Sequence, residues 1–145
     1  MSLAIVRSRV GNGLAAPEVG VEVHLSNGLP SFSIVGLPEA AVRESRERVR
    51  SALLNSGFYF PTRRITVNLA PADLPKEGGR FDLPIALGIL AASDQLPPAC
   101  LDGLECLGEL GLGGELRPVR GVLTAALVAV RYSRTLVLPS DNAEE

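Results

Sequence analysis

The 145-residue sequence has no tryptophan, one histidine, one lysine and two cysteines. Aromatic residues make up only 4% of the chain, so we expect a core of aliphatic side chains. A zinc site needs three or four nitrogen or sulfur ligands, and the sequence lacks a cluster with that spacing. Cys100 and Cys106 are therefore predicted to be free thiols in a reducing cytoplasm, with no bound metal or other cofactor.

Long apolar runs and a secretion signal are also missing. The stretch from Leu83 to Ala92 is too short to span a membrane, and Arg7 and Arg9 follow the first apolar run instead of preceding it. The net charge of −2 excludes a generally basic nucleic-acid-binding domain, although it permits a local basic patch. These features predict one cytoplasmic domain with no membrane partner.

Several segments alternate between apolar and polar residues, which is typical of half-buried strands. His24 falls on the polar side of one of them, "EVGVEVHLS", so we expect an exposed histidine rather than a catalytic one. Turns are predicted at Asn12-Gly13, at Asn27–Pro30 and in a hairpin around "GLGG". The predicted strands are Leu3–Val10, Glu18–Ser26, Ser31–Val35, Arg63–Pro71 and Thr135–Pro139.

Three segments favour helices. The first has Pro38 in its first turn and ends at Gly57, while Leu83–Ser93 and Gly121–Val130 are apolar on nearly every side and should be buried. The final "SDNAEE" resembles a helix start, which suggests a chain cut from something longer. The order of elements predicts an α+β fold, a mixed sheet with helices packed on one side.

The first helix carries four arginines, Arg43, Arg46, Arg48 and Arg50. Glutamates at i,i+4 spacing, in the pairs Glu39–Arg43, Arg43–Glu47 and Glu44–Arg48, cancel much of this charge. One interpretation is a solvated, salt-bridged face. The alternative is a patch that faces phosphates or a neighbouring subunit.

Common catalytic motifs are absent. The sequence contains no G-x-x-x-x-G-K-[ST] phosphate loop and no G-x-S-x-G nucleophile turn, so this chain is not itself an ATPase or a typical serine hydrolase. Glu77 and Asp82 are candidate paired carboxylates for glycoside chemistry, but nothing suggests an aromatic sugar cleft.

The segment "PKEGGRFDLPIA", followed by "GELGLGGELRPVRGVLTAAL", resembles the catalytic region of Lon-type peptidases, which use a Ser–Lys dyad. Arg80 to Asp82 stand where that family has its serine, and Leu123 stands where it has its lysine. Lys76 matches a different lysine of the loop. Without a nucleophile and its base, no residue is assigned as catalytic and we expect no peptidase activity.

A longer resemblance covers essentially the whole chain. The stretches "VEVHLSNGLPSFSIVGLPEAAVRESRERVRSALLNSGF", "RRITVNLAPADLPKEGGRFDLPIALGILAAS" and "GELGLGGELRPVRG" resemble the N-terminal domain of the ComM/YifB family of Mg-chelatase-like AAA+ proteins. The resemblance implies a Lon-like domain, residues 1–145, placed before an ATPase module that binds ATP and Mg and forms a hexamer. It also implies a role in DNA branch migration during competence and homologous recombination.

Three functions remain open: a scaffold that engages DNA, a diverged peptidase or chelatase subunit, and a pure assembly domain. Arginine serves DNA and subunit contacts equally well. The predicted contact residues are Lys76, Arg80, Arg43, Arg46 and Arg50, and their small number predicts micromolar or weaker DNA binding by this chain alone. Asp82 is predicted to cap the helix that follows it, at a cost of about 1 kcal/mol if removed.

Overall fold

The computed structural model describes residues 2–11 and 15–142, and it shows an α+β fold built on a mixed sheet. The sheet has six strands in the order β3-β4-β2-β1-β5-β8, and β6 and β7 form a separate antiparallel pair. The strands are β1 (Ser2–Arg9), β2 (Glu18–Ser26), β3 (Ser31–Val35), β4 (Arg64–Ala70), β5 (Leu104–Cys106), β6 (Glu109–Leu110), β7 (Leu116–Arg117) and β8 (Thr135–Val137). The helices are α1 (Ala40–Arg43), α2 (Ser45–Asn55), α3 (Asp82–Ala92) and α4 (Val122–Arg131), with 3-10 turns at Pro98–Leu101 and Ser140–Asn142.

The central strands follow the alternation in the sequence. β2 pairs antiparallel with β1 and β4, while β3 runs parallel to β4. The four apolar residues of β2 point into the core and are at most 2% exposed, whereas His24 on the opposite face is exposed, as predicted. The bounds predicted for β2 and β3 are confirmed to the residue.

Helix α3 covers the inner face of the sheet because it is apolar all round. It packs against β1, β2 and α2, and nine of its eleven residues are buried. Gly88 permits the close approach, since a Cβ there would lie 2.5 Å from Cγ2 of Val23. The core is aliphatic except for Phe81, as the composition predicts.

The arginine-rich helix differs from its prediction. It is two segments that meet at Glu44, and it begins at Ala40 because the Glu39 side chain accepts a hydrogen bond from Ala41 N at 3.1 Å. None of the three predicted i,i+4 ion pairs forms among the residues that the structure describes. The predicted end is confirmed: Gly57 follows the helix with a left-handed φ of 88°.

Helix α4 is less buried than predicted. One side packs inward through Val122, Ala125, Val128 and Ala129, but the outer side is open to solvent. On that side, Leu123 is 63%, Leu127 59% and Val130 73% exposed. Both helices have apolar residues on every side. This pattern correctly predicts the burial of α3, but it does not predict the exposed outer face of α4.

The remaining expectations concern the thiols, the turns and the membrane. Cys100 is exposed and Cys106 buried, both unpaired, and burial raises the pKa of Cys106 to about 12, so that this thiol stays protonated at neutral pH. The predicted turn at Asn12-Gly13 and the end of "SDNAEE" lie outside the described residues. Within residues 2–11 and 15–142, no helix has the length and apolarity needed to cross a bilayer, and no three His, Cys, Asp or Glu residues are grouped as a metal site.

Candidate functional site

Lys76, Arg80 and Asp82 are the buried charged residues of the loop from Leu74 to Asp82, whereas Glu77 is exposed. Lys76 is fully buried, and its Nζ donates hydrogen bonds to the carbonyl oxygens of Gly36, at 2.6 Å, and Pro71. Desolvation lowers the pKa of Lys76, an effect that Asp73 opposes. This burial argues against the predicted contact of Lys76 with DNA or a subunit, because its ammonium has no exposed surface. Lys76 instead links the loop to Gly36, which follows β3, and to Pro71, which follows β4.

The prediction that Asp82 caps α3 is wrong. Phe81 occupies the cap position without a side-chain hydrogen bond, and Asp82 is the first, fully buried residue of the helix. Its carboxylate accepts hydrogen bonds from Arg48 Nε at 2.6 Å, Arg48 Nη2 at 3.1 Å, Leu110 N at 3.0 Å and Ser45 Oγ. The hydrogen bond to this carboxylate raises the pKa of Arg48. Asp82 thus joins α2, α3 and β6.

Arg80 is also withdrawn from the surface. It is 6% exposed, and its Nη2 donates to the carbonyl oxygen of Arg120. The guanidinium packs against Gly11, where an added Cβ would lie 2.0 Å from Nη1. Arg80 lines a cavity of about 470 Å³ between the loop at Gly78-Gly79 and the segment before α4. The predicted reach of Arg80 to DNA across an open surface is therefore not supported.

The two acids of the loop do not form a pair of facing carboxylates. Asp82 is fully engaged and Glu77 is exposed, so the two carboxylates do not face a shared open cleft. Arg80 and Leu123 offer neither a nucleophile nor a base. The Ser45 hydroxyl donates a hydrogen bond to Asp82, but Ser45 is fully buried, so a substrate in solvent could not reach it.

Two of the predicted arginines do come together elsewhere. Arg46 and Arg50 of α2 line an exposed cleft of about 480 Å³ between that helix, the start of β3 and the start of β4. Arg63 also lines the cleft, and its apolar lining includes Phe32 and Phe60. Arg43 is exposed but does not line this cleft. We call this feature the arginine–phenylalanine cleft.

The cleft combines positive charge with aromatic surface. The Arg50 guanidinium lies 5.8 Å from the ring centroid of Phe60, and the rings of Phe60 and Phe32 are 5.7 Å apart. Arg46, Arg50 and Arg63 form no ion pair with any carboxylate among the residues that the structure describes. Glu47 is the one acidic residue in the lining. The cleft therefore carries a local excess of positive charge on a chain whose net charge is −2.

Phe32, Phe60 and Arg63 were not among the contact residues predicted from the sequence. A signal was present: three of the six aromatic residues stand together in "FYFPTRR", directly before two adjacent arginines. In a chain with so few aromatics, this grouping indicates a specialised surface. Its pairing with Arg46 and Arg50 depends on the fold, which brings the connection before β4 next to α2.

With this geometry in place, comparison with known proteins gives the family. The family model described as subunit ChlI of Mg-chelatase matches residues 21–142. The chain belongs to this family. It is 61% identical over 145 residues to competence protein ComM of Haemophilus influenzae, and 54% identical over 145 residues to the uncharacterized protein YifB of Escherichia coli. These matches cover 100% of this chain but only 28% and 29% of the relatives, so this ChlI-family chain spans less than a third of their length.

A more distant similarity reaches the Lon proteases. The Lon protease of Chloroflexus aurantiacus is 28% identical over 151 residues, which cover 98% of this chain and 17% of that protein. This level is compatible with the resemblance of the "PKEGGRFDLPIA" segment to the Lon loop.

Proposed function

We propose that this chain is a non-catalytic domain that engages DNA within a longer Mg-chelatase-like protein, and that the arginine–phenylalanine cleft is its DNA contact. The cleft itself carries the proposal. Three arginines without carboxylate partners stand beside two half-buried phenylalanines: Arg46 and Arg50 are exposed, and Arg63 is half-buried and donates a hydrogen bond to Ser2 Oγ at 3.1 Å. Arginines that neutralise phosphates and aromatic rings that stack on bases are the combination found in proteins that bind single-stranded nucleic acid.

The longer protein would supply the energy. We propose that an ATPase module binding ATP and Mg, together with a hexameric ring, drives branch migration of DNA, as the family resemblance implies. The similarity to a competence protein supports a role in DNA uptake and recombination. A ring would repeat the cleft around one axis, and this multivalency would raise a weak affinity by orders of magnitude.

We propose no peptidase step for this domain. The Lon-like fold is supported by the similarity to Lon proteases along nearly the whole chain. However, by the resemblance to the Lon loop, Arg80 to Asp82 stand where that family has its serine and Leu123 where it has its lysine. Without an activated nucleophile, acyl transfer has no starting group.

The cleft can be tested by removing its charge. We expect an Arg46→Ala/Arg50→Ala double variant to weaken binding to labelled oligo(dT), measured by fluorescence anisotropy. If each arginine neutralises one phosphate, the slope of log affinity against log salt should fall by about 1.4 for single-stranded DNA. The parent chain should bind with micromolar or weaker affinity near physiological salt.

A matched control separates the cleft from overall charge. Arg43 and Arg131 are exposed arginines outside the cleft, so Arg43→Ala/Arg131→Ala removes the same charge. We expect this variant to retain most of the parent's affinity. Equal losses in both double variants would contradict a specific cleft, as would nanomolar binding by the parent that salt does not weaken.

A further inference from the structure

Arg80 is a buried charge without a counter-ion in the described part of the chain. Its only hydrogen bond there goes to the carbonyl oxygen of Arg120, and no described carboxylate pairs with it. Arg9, Arg48 and Arg134 are partly or fully buried arginines that differ in this respect: Arg9 and Arg134 are bonded to Glu105, and Arg48 to Asp82, whereas Arg63 is half-buried without such a pair. Buried charges are normally paired, so Arg80 lacks the partner that the fold supplies to Arg9, Arg48 and Arg134.

The unpaired guanidinium borders a cavity that is open to a ligand. The cavity measures about 470 Å³, within the range of small-ligand sites. Gly78 and Gly79 line one side, and Pro118 to Arg120 line another. A guanidinium has five N–H donors, and the described structure uses Nη2 of Arg80 alone in a hydrogen bond. Among residues 2–11 and 15–142, no hydrogen-bond partner engages its other donors, which a planar acceptor could use.

The glycines keep this space clear. A side chain at Gly11 would collide with Arg80, because an added Cβ would lie 2.0 Å from Nη1. A side chain at Gly79 would collide with Glu109, at 2.4 Å from Oε1. Glycine at both positions therefore leaves room for the Arg80 guanidinium and the Glu109 carboxylate, and both residues line the cavity.

We propose that this cavity binds a carboxylate group of a ligand, with Arg80 as its bidentate partner. The site is separate from the arginine–phenylalanine cleft and does not depend on the DNA proposal. A carboxylate fits better than a phosphate because Glu77 and Glu109 line the same cavity. These two acids repel a group of charge near −2 more than a group of charge −1. A guanidinium can also donate two parallel N–H hydrogen bonds to the two oxygens of a carboxylate.

The proposal can be tested by NMR titration of the ¹⁵N-labelled chain, following Arg80 Nε–Hε and the amides of Gly78 and Gly79. Three peptides distinguish the sources of the carboxylate: acetyl-Ala-Glu-Ala-amide has it on a side chain, acetyl-Ala-Gln-Ala-acid at the chain end, and acetyl-Ala-Gln-Ala-amide lacks it. We expect saturable shifts with at least one of the first two and none with the third. Inorganic phosphate at equal concentration should give smaller shifts.

Two variants complete the test. Arg80→Lys keeps the positive charge but loses the planar guanidinium that binds a carboxylate through two parallel hydrogen bonds. We expect about tenfold weaker peptide binding. Glu77→Gln changes an exposed lining residue, so it should fold normally and bind the glutamate peptide about threefold more tightly because one repulsive charge is gone. Absence of saturable shifts with both carboxylate peptides, phosphate shifts as large as theirs, or unchanged affinity in Glu77→Gln would overturn the proposal.

Discussion

Replacing Asp82 with alanine is expected to lower the free energy of unfolding by about 3–5 kcal/mol. The carboxylate is fully buried and accepts hydrogen bonds from Ser45, Arg48 and the backbone N–H of Leu110. Its removal leaves a partly buried guanidinium, a buried hydroxyl and a backbone donor without their acceptor. Urea denaturation followed by circular dichroism measures the loss.

The size of this loss distinguishes two roles for Asp82. A helix cap would cost only about 1 kcal/mol, whereas a buried carboxylate that joins three elements costs several times more. Asp102→Ala is the control, since Asp102 is exposed and makes no side-chain hydrogen bond in the described structure; it should change stability by less than about 0.5 kcal/mol. A loss near 1 kcal/mol for Asp82→Ala would contradict the buried-network account.

A double-mutant cycle with Arg48 refines the test. Arg48→Ala alone leaves the buried Asp82 carboxylate without its cation, so it should also destabilise the chain. The double variant should lose much less than the sum of the two single losses, because each single change strands the other partner. Additive losses would show that the two residues act independently.

Replacing Glu105 with alanine is expected to cost a similar amount, about 3–5 kcal/mol. Glu105 is fully buried and holds Arg9 through two hydrogen bonds, of 2.7 and 2.8 Å, and Arg134 through one of 3.1 Å. The Arg9 side chain is only 2% exposed, so the substitution leaves a buried guanidinium whose remaining carboxylate contact, with the partly exposed Glu18, is 3.9 Å long. Thermal and urea unfolding measure the effect.

The control for Glu105 uses another acid of the same network. Glu18 also contacts Arg134, but its side chain is 41% exposed. Because solvent screens such a pair, Glu18→Gln should cost less than about 1 kcal/mol. An Arg9→Met/Glu105→Leu double variant should recover most of the stability, since apolar residues of similar size replace a buried ion pair well. Equal losses for Glu18→Gln and Glu105→Ala would contradict the importance of burial.

Local patterns predicted much of the fold but not its buried polar contacts. The alternation in β2 and β3 specified both strands, since one face of each strand must be apolar. The start of α1 was less accurate because the Glu39 cap, and not Pro38, sets it. For α4, an apolar sequence indicated burial on every side, but exposure depends on what packs around the helix.

At the candidate site, local sequence patterns predicted even fewer of the buried polar contacts. Lys76, Arg80 and Asp82 lie beside a glycine pair, a pattern that resembles an exposed binding loop. Pro71 is only five residues from Lys76, but Gly36, Arg120 and Arg48 are each more than 30 residues from the side chain that they contact. No local pattern reveals such contacts. Arg46 and Arg50 were found because charge clusters are visible in sequence, although their aromatic neighbours were not recognised.

Photo-crosslinking at the cleft tests the central claim most directly. p-Benzoylphenylalanine placed at Phe60, inside the arginine–phenylalanine cleft, should crosslink to labelled oligo(dT) on irradiation. The same group at Tyr132, an exposed aromatic residue after α4, is the control. We predict a covalent protein–DNA adduct from position 60 that is suppressed by Arg46→Ala/Arg50→Ala, and little from position 132. An equal yield from both positions, or no adduct from position 60 under conditions where the chain binds DNA, would contradict the assignment of the cleft as the DNA contact.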